Sequence, residues 1–330
     1  MPERTRRADG SKMKKASEEA TNVPEAKPAI KQRKGFRVKR AVRHHICSGL
    51  FILPALGLFL LFTYYPLIQN IMYSLTSWNG ITIEKDFIGI QNFIQIFKDR
   101  TLVQSVGNTF YLAIALLLMG LFLQFSAALI VFSKVRGHGV IKVVLYLPAV
   151  LSPIVLSYTW IQFLQYPGYI NQLLEVIGLG QFKNMWLGNE SSVKLVLAVI
   201  QSLQYTGYGM IFFLTGLNGI PKDIYEAADL DGSSGLNRLF KITLPLMMPS
   251  ITVTLFISIT GALNSYAIPL SLTGGGPNGA STTIAMQIYQ RAFGMRQFGY
   301  ASAIGILFFI IIAAITTLQL SITRKREVEY

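Results

Sequence analysis

Six long apolar stretches divide the chain, and polar segments separate them. About 20 apolar residues in a helix cross the roughly 30 Å hydrocarbon core of a bilayer. None of the six stretches contains Asp, Glu, Lys, Arg or His. The pattern predicts an all-α, polytopic membrane protein with six transmembrane helices. These predicted spans cover residues 46–75, 105–133, 143–164, 195–217, 250–271 and 299–322.

Composition supports the membrane class. Hydrophobic residues make up 52% of the 330 residues, the mean hydropathy is +0.44, and charged residues make up 14%. A soluble protein usually carries about 25% charged residues. The first stretch exceeds the usual 7–15 residue core of a signal peptide and follows a much longer basic leader, so we interpret it as a retained helix.

Most of the net charge of +14 lies in residues 1–45, which hold 14 Lys or Arg and 5 Asp or Glu. The segment has too few apolar residues to offset the entropy of ordering, so it is predicted to be a disordered basic cytoplasmic tail near anionic lipid. The segment has almost no aromatic residues for base stacking among its charges, which argues against a nucleic-acid partner. The predicted domains are this tail, a permease domain over 46–323 with a cytoplasmic loop at about 218–249, and a short cytoplasmic tail over 324–330.

Loop charges orient the helices. With both termini cytoplasmic, cytoplasmic segments hold 23 basic residues and external segments hold 7. Without the tail the ratio is 9 to 7, so the orientation depends mainly on residues 1–45.

The chain lacks the usual signatures of an enzyme or a cofactor site. Cys47 is the single cysteine, and no Gly-Lys pair exists to form a phosphate-binding loop. The formal G-x-G-x-x-G at Gly274, Gly276 and Gly279 follows a membrane helix and contains Pro277, so it does not indicate dinucleotide binding. No catalytic residue, cofactor or metal is predicted.

The loop between the fourth and fifth spans is the most informative segment. Pro221 and Asp223 are typical of a helix start, and Gly232 permits the left-handed turn that ends a helix. A second short helix is expected from about residue 236 to 242. Four acidic residues against three basic ones make this the only predicted cytoplasmic segment with net negative charge. The loop therefore favours a protein partner over lipid.

The loop's spacing resembles the cytoplasmic signature of binding-protein-dependent ABC importer permeases. The match consists of Glu226-Ala227-Ala228, then Asp231-Gly232, and then Ile242-Thr243-Leu244-Pro245. Phe240 fits the carbohydrate branch of the family, while Ser233 stands where that branch usually has Ala. A second stretch, Leu272 to Pro277 with Tyr289 and Phe293 downstream, is similar to the maltose and glycerol-phosphate type.

The resemblance implies the function and the partners. It implies a permease subunit of an ATP-driven importer of oligosaccharides or related carbohydrates, forming half of the translocation path in a bacterial or archaeal inner membrane. The 226–245 loop would couple to an ATPase. The implied partners are a second permease subunit, two ATPase subunits, an extracellular solute-binding protein, the sugar and membrane lipid. The coupling residues would be Glu226, Ala227, Ala228, Asp231, Gly232, Ile242, Leu244 and Pro245.

Uncharged spans with amides and hydroxyls indicate a neutral solute that forms hydrogen bonds. The substrate-path candidates are Gln162, Gln201, Gln204, Tyr205, Asn264, Ser265 and Tyr266. Each could instead form a hydrogen bond between helices. Two other functions stay open: a secondary carrier or facilitator, which would transport alone, and a membrane protein that transports nothing. A proton- or ion-coupled carrier generally needs ionisable residues in its spans.

Overall fold

The computed structural model describes residues 52–327, so the predicted tail over 1–45, the start of the first span and residues 328–330 lie outside the described part. The chain divides after Tyr64 into two units. In the first unit the described residues are helical and end in a π-helical turn, Leu60–Tyr64. Together with the following helix they form the candidate span Ile52–Ser74.

The second unit is helical, and the only β pairing in its described residues is an isolated bridge between Thr76 and Phe87. Its helices are α1 Tyr65–Ser74, α2 Gln91–Ile96, α3 Arg100–Phe132, α4 His138–Val150, α5 Pro153–Leu164, α6 Tyr169–Val176, α7 Glu190–Gly219, α8 Lys222–Leu230, α9 Gly235–Arg238, α10 Met248–Leu263, α11 Ala267–Thr273, α12 Ile284–Tyr289 and α13 Phe298–Thr323. Two π-helical turns, Leu239–Thr243 and Gln290–Gly294, follow α9 and α12.

The described residues contain five helices long and apolar enough to span a membrane, or six if a bent pair counts as one. Four predicted spans coincide with single long helices or their described part. The prediction of one continuous helix over 143–164 was wrong, because α4 and the segment Pro153–Val176 meet at 103°. Leu151 and Ser152 are extended there, and Pro153 explains this, since the residue before a proline avoids the helical region.

Helices α3 and α7 form the most extensive contact of the unit, and α10 packs against both. Ala127, Ala128 and Gly209 lie in this interface, where small residues let membrane helices approach closely. Large apolar side chains such as Leu118 and Phe122 point outward, with 70% and 71% of their surface exposed. An apolar outer surface is the pattern expected of a lipid-facing bundle.

The 218–249 loop marks one end of the bundle. Helix α7 ends at its first residues, at Gly219, and α10 begins at its last residues, at Met248. The end of α3 contacts the loop through Phe132 and Tyr225, whose ring centroids are 6.4 Å apart. Asp99, Glu190 and Leu263 therefore lie at the opposite end, which we call the distal end.

Candidate functional site

A cavity of about 400 Å³ lies between α3, α7 and α10. Its volume falls within the range of about 300–1,000 Å³ typical of ligand pockets. Most of its wall is apolar, and Gly120 and Gly261 leave room for it, while Gly209 lets the Gln124 side chain pack against α7. Its polar lining comes from Gln124, Gln201, Ser202, Tyr205, Tyr208, Thr254 and Ser258. An apolar pocket with a few fixed polar groups is the usual form of a small-molecule site.

Three polar atoms in the cavity wall are buried and have no hydrogen-bond partner among the described residues: Gln124 Oε1, Gln201 Nε2 and Ser202 Oγ. Their side chains belong to residues that are 6%, 3% and 2% exposed. An unsatisfied buried polar group costs about 1–3 kcal/mol. Together they are one acceptor, one donor and one hydroxyl whose hydrogen-bonding capacity the described residues leave unused.

A break between α10 and α11 lies beside this cavity. Pro269 has no N–H to donate to the carbonyl of Ser265, four residues earlier, and the Thr283 hydroxyl donates to that oxygen instead, at 2.7 Å. The Ser265 hydroxyl donates to Gln201 Oε1 at 2.6 Å. The break thus fixes the orientation of the Gln201 amide, so that its nitrogen is left for a ligand.

The break between α4 and α5 is also held from α7. Gln204 Nε2 donates to the carbonyl of Leu151 at 3.5 Å, a long hydrogen bond, and Gln204 is 1% exposed. Gly207 allows the backbone of α4 to approach, because a Cβ there would lie 2.7 Å from the Cα of Tyr146. Gln204 therefore has a structural role: it donates a hydrogen bond to a backbone carbonyl at the break between α4 and α5.

The structure brings some of the predicted path residues together. Gln201 and Tyr205 line the cavity, and Ser265 contacts Gln201. Asn264 is exposed and its side chain donates to the Thr260 carbonyl at 2.9 Å. The Tyr266 ring packs against the Tyr289 ring at an angle of 51°, with 5.2 Å between ring centroids.

Gln162 lies apart from the cavity, on exposed α5, where its Oε1 accepts a hydrogen bond from Gln165 at 3.0 Å. It lines an open groove with Tyr158 and Tyr169 instead. Sequence reasoning missed Gln124, Ser202, Tyr208, Thr254 and Ser258. Gln124 could have been found from the sequence, because it is an amide within an apolar span, as Gln201 is.

The inner face of the 218–249 loop packs on its own bundle. Ala228 is 4% exposed, and Ile224 and Tyr225 join a buried cluster that includes Leu217 and Met247. Ala227 is exposed, so the two alanines of the signature lie on different faces. The predicted left-handed turn is present, with φ of +71° at Gly232.

The outer face of the loop combines apolar and acidic groups. Leu230, Leu236 and Phe240 are 90%, 71% and 61% exposed, and Glu226 and Asp231 are exposed beside them. Arg238 and Asp229 form an ion pair at 2.9 Å that joins the two short helices. Of the other signature residues, Ile242, Leu244 and Pro245 are half-buried. A rigid, partly apolar knob of this kind suits insertion into a cleft of another protein.

A polar network at the distal end ties α3 to the π-helical turn after α12. Arg291 Nη2 lies 2.6 Å from Asp99 Oδ2, and the Tyr300 hydroxyl donates to the same oxygen at 3.0 Å. Burial raises the pKa of Asp99, but hydrogen bonds from Thr101, Tyr300 and the Leu102 N–H, together with the Arg291 charge, outweigh it. The net pKa of this carboxyl is below its ordinary value.

We expect Asp99→Asn to lower the free energy of unfolding by about 2 kcal/mol, because it leaves a largely buried guanidinium without its charge partner. Since the folded-state pKa is depressed, the stabilisation is complete above the ordinary carboxyl pKa and is lost as pH falls through the lower one. The difference between variant and wild type should therefore begin to shrink below about pH 4 and should disappear only below the depressed folded-state pKa.

Thermal unfolding in detergent measures this effect. It is followed by tryptophan fluorescence at pH values from about 3 to about 8, in steps of about one pH unit. Glu175→Gln is the matched control: it removes the Lys183–Glu175 pair, whose carboxylate side chain is 66% exposed, and should cost under about 1 kcal/mol. Equal losses in the two variants would contradict the assigned role of Asp99.

Among the described residues, no group of three or more His, Cys, Asp and Glu side chains could hold a metal ion. The lining of the cavity itself offers hydrogen-bonding groups and apolar contacts.

Comparison with known proteins gives a consistent result. Residues 120–328 match the sequence profile of the family described as "Binding-protein-dependent transport system inner membrane component". The probable ABC transporter permease protein YurN of Bacillus subtilis is 33% identical, over 87% of this chain and 99% of its own length. The trehalose/maltose transport system permease protein MalF of Thermococcus litoralis is 31% identical, over 84% and 94%.

A solved bacterial ABC transporter involved in the import of the acidic polysaccharide alginate contains a chain of the same fold. Its TM-score is 0.76 at 23% identity, covering 88% of this chain and 99% of that one. A second structure, of the alginate transporter in complex with an alginate pentasaccharide-bound periplasmic protein, gives a TM-score of 0.76 at 22% identity, covering 88% and 98%.

Proposed function

The chain belongs to the family of binding-protein-dependent transport system inner membrane components, and we propose that its cavity is the sugar-binding part of the translocation path in an ATP-driven importer. It is a multi-pass inner-membrane permease subunit of a sugar ABC transporter, as its relatives are. The observation that carries the cavity's role is the group of three unpartnered polar atoms in its wall.

The uncharged lining fits a neutral oligosaccharide. Amide groups of Gln124 and Gln201 can each donate to and accept from sugar hydroxyls, and the Tyr205 and Tyr208 rings, 6.4 Å apart, offer apolar faces to a pyranose. The unpartnered atoms include one acceptor, one donor and one hydroxyl that does either. Such a mixed set matches vicinal hydroxyl groups better than it matches an ion or an apolar solute.

The 218–249 loop is proposed as the contact with an ATPase subunit. Its exposed Leu230 and Phe240 would enter a cleft of that subunit, and Glu226 and Asp231 would form the polar rim. Under this proposal the loop, the 324–330 tail and both termini would lie in the cytoplasm, and the distal end would lie outside. The broken pair α4–α5 then counts as one span, which completes six.

The remaining partners follow from the proposed assembly. A second permease subunit would supply the other half of the path, two ATPase subunits would drive it, and a solute-binding protein would deliver the sugar at the distal end. The binding-protein dependence of the family and the periplasmic protein in the alginate complex support this arrangement.

Uptake into proteoliposomes tests the function. The chain assembled with its second permease, ATPase and binding protein should take up a labelled disaccharide from a panel that includes maltose and trehalose. Uptake should occur only when ATP is supplied on the side of the membrane that carries the ATPase subunits. The chain alone should transport none. If the chain alone transports the sugar without ATP as fast as the complete assembly does with ATP, the protein is a facilitator instead. If no combination of subunits shows uptake, the protein transports nothing.

A further inference from the structure

Six aromatic side chains form a continuous ladder at the distal end. Adjacent ring centroids are 4.3 Å apart for Tyr73 and Trp78, 5.5 Å for Trp78 and Phe298, and 5.4 Å for Phe298 and Phe293. The ladder continues with 5.1 Å from Phe293 to Tyr289 and 5.2 Å from Tyr289 to Tyr266. These residues come from four separate parts of the chain, so only the fold brings them into one row.

The rings are accessible. Phe293 is 64% exposed and Tyr289 is 45% exposed, while the other four rings are half-buried. Aromatic residues that stabilise a core are usually buried on both faces, but none of these six is buried in the described structure. Their exposed surface is available for a ligand.

The ladder leads from the outside toward the cavity. Its outer end is Tyr73, near the end of α1, followed by Trp78 just after that helix, and the Lys85 ammonium sits 4.5 Å and 4.6 Å from these two ring centroids. Its inner end is Tyr266, in the break between α10 and α11, directly after Ser265, whose hydroxyl binds the cavity residue Gln201. A ring of aromatic residues at a membrane interface would encircle the bundle, whereas this row connects an outer loop with the wall of the cavity.

Fixed backbone holds the row in place. The N–H of Gly299 donates to the Trp78 carbonyl at 2.9 Å, which joins the outer loop to the start of α13. Gly80 lacks the Cβ that would overlap the Phe298 ring. Arg291, between Tyr289 and Phe293 in sequence, is held by Asp99. The ladder is therefore pre-organised, as a binding surface needs to be.

We propose that this ladder is a sugar-guiding track, along which pyranose rings stack as they pass from the distal mouth to the cavity. The axial C–H bonds of a pyranose carry partial positive charge and pack on the negative faces of aromatic rings. Exposed Asn264 and Gln297 lie beside the row and can bind hydroxyl groups. Repeated weak sites of one kind let a sugar move along the row without being trapped. This inference rests on the proposed sugar-import function.

The test uses the complete assembly in proteoliposomes and the panel disaccharide that the wild type takes up fastest. Tyr289→Leu with Phe293→Leu removes two exposed rings but keeps the apolar volume. The sugar taken up per ATP hydrolysed should fall about tenfold, since each ring contributes a modest stacking contact. The double variant Tyr289→Phe with Phe293→Tyr keeps both rings and should take up as much sugar per ATP hydrolysed as the wild type.

Phe97→Leu is the matched control, because Phe97 is a 77% exposed phenylalanine just before α3 at the same end and lies off the ladder. It should leave uptake per ATP unchanged. Wild-type ratios in the double leucine variant would overturn the track. A loss of binding-protein-stimulated ATP hydrolysis in parallel with uptake would also overturn it, by showing that the rings dock a protein. Absence of ATP-dependent uptake in the wild-type assembly would overturn the sugar-import function as well.

Discussion

The double variant Leu230→Asp with Phe240→Asp should lose ATPase binding by more than about 100-fold and should abolish ATP-driven uptake. Both side chains project from the 218–249 loop, at 90% and 61% exposure, and neither contributes to the bundle's buried clusters. In the assembly they would be buried in a cleft of the ATPase subunit. A carboxylate in such a cleft costs several kcal/mol unless a cation compensates for it.

Co-purification of the ATPase with tagged chain, from membranes in which the amount of inserted chain is equalised, measures this effect. Ile83→Asp is the matched control, since it places the same charge at an apolar residue that is 97% exposed but belongs to the segment between α1 and α2. The control should retain the ATPase. Wild-type co-purification of the double variant would remove the loop from the coupling role.

Surface substitutions test this loop better than its turn residue does. Gly232 has φ of +71°, a conformation that proline cannot adopt, so Gly232→Pro would disrupt the turn and the Arg238–Asp229 pair together. Loss of binding in that variant would not separate a missing contact from a misfolded loop. Glu226→Lys is exposed and informative, but it probes only the polar rim.

The spans were predictable because each is set by local composition. Three of the six follow single α-helices, whose ends differ from the prediction only by a few residues, as between 195–217 and Glu190–Gly219. The loop was predictable for another reason. Gly232 and Pro245 restrict the backbone conformation locally, whatever packs around them.

The helix breaks were not predictable from residue type alone. Pro148 continues α4 and Pro153 starts α5, although both lie in one apolar stretch. The difference lies in the tertiary partners. Gln204 reaches the carbonyl of Leu151 beside the second proline, and Thr283 serves the same purpose for Ser265 at Pro269. A sequence shows the proline but does not show which distant side chain will satisfy the carbonyl that the proline leaves free.

The same limit explains the path residues. Gln201 and Gln204 are three residues apart on α7, yet one lines the cavity and the other binds backbone. Gln162 shares their chemistry and lies in another groove. Which face of a helix meets the cavity depends on the register of α3, α7 and α10, and those apolar helices carry little periodicity to reveal it.

The chain connects the loop and the cavity directly. Helix α7 carries Gln201 and ends at the loop, and α10 leaves the loop and carries Gly261. A force on the loop would therefore act on two walls of the cavity at once. Tyr225, packed near Phe132, adds the third wall, α3. This arrangement supports the proposal that an ATPase subunit acts on the translocation path through the loop.

Filling the cavity should stop sugar uptake while the ATPase still binds. Gly261 lines the cavity, and a Cβ added there would meet no atom within 4 Å, so Gly261→Trp places an indole in the 400 Å³ space without a backbone clash. We expect at least about a 100-fold loss of uptake, because the bulky ring displaces the ligand from Gln124 and Gln201. Gly261 lies near the distal end of α10, away from the loop, and the loop itself is unchanged, so co-purification of the ATPase should match wild type.

Gly107→Trp is the matched control for this substitution. Gly107 is an exposed glycine of α3 whose Cβ would also meet nothing within 4 Å, and it does not line the cavity. It should support near-wild-type uptake, which separates cavity blockage from a general cost of tryptophan in a span. If Gly261→Trp transports as fast as Gly107→Trp, the sugar does not pass through this cavity. If Gly261→Trp loses both uptake and ATPase binding, the substitution has distorted the bundle. The smaller Gly261→Leu then decides between blockage and distortion: blockage of the cavity lowers uptake while ATPase binding stays intact.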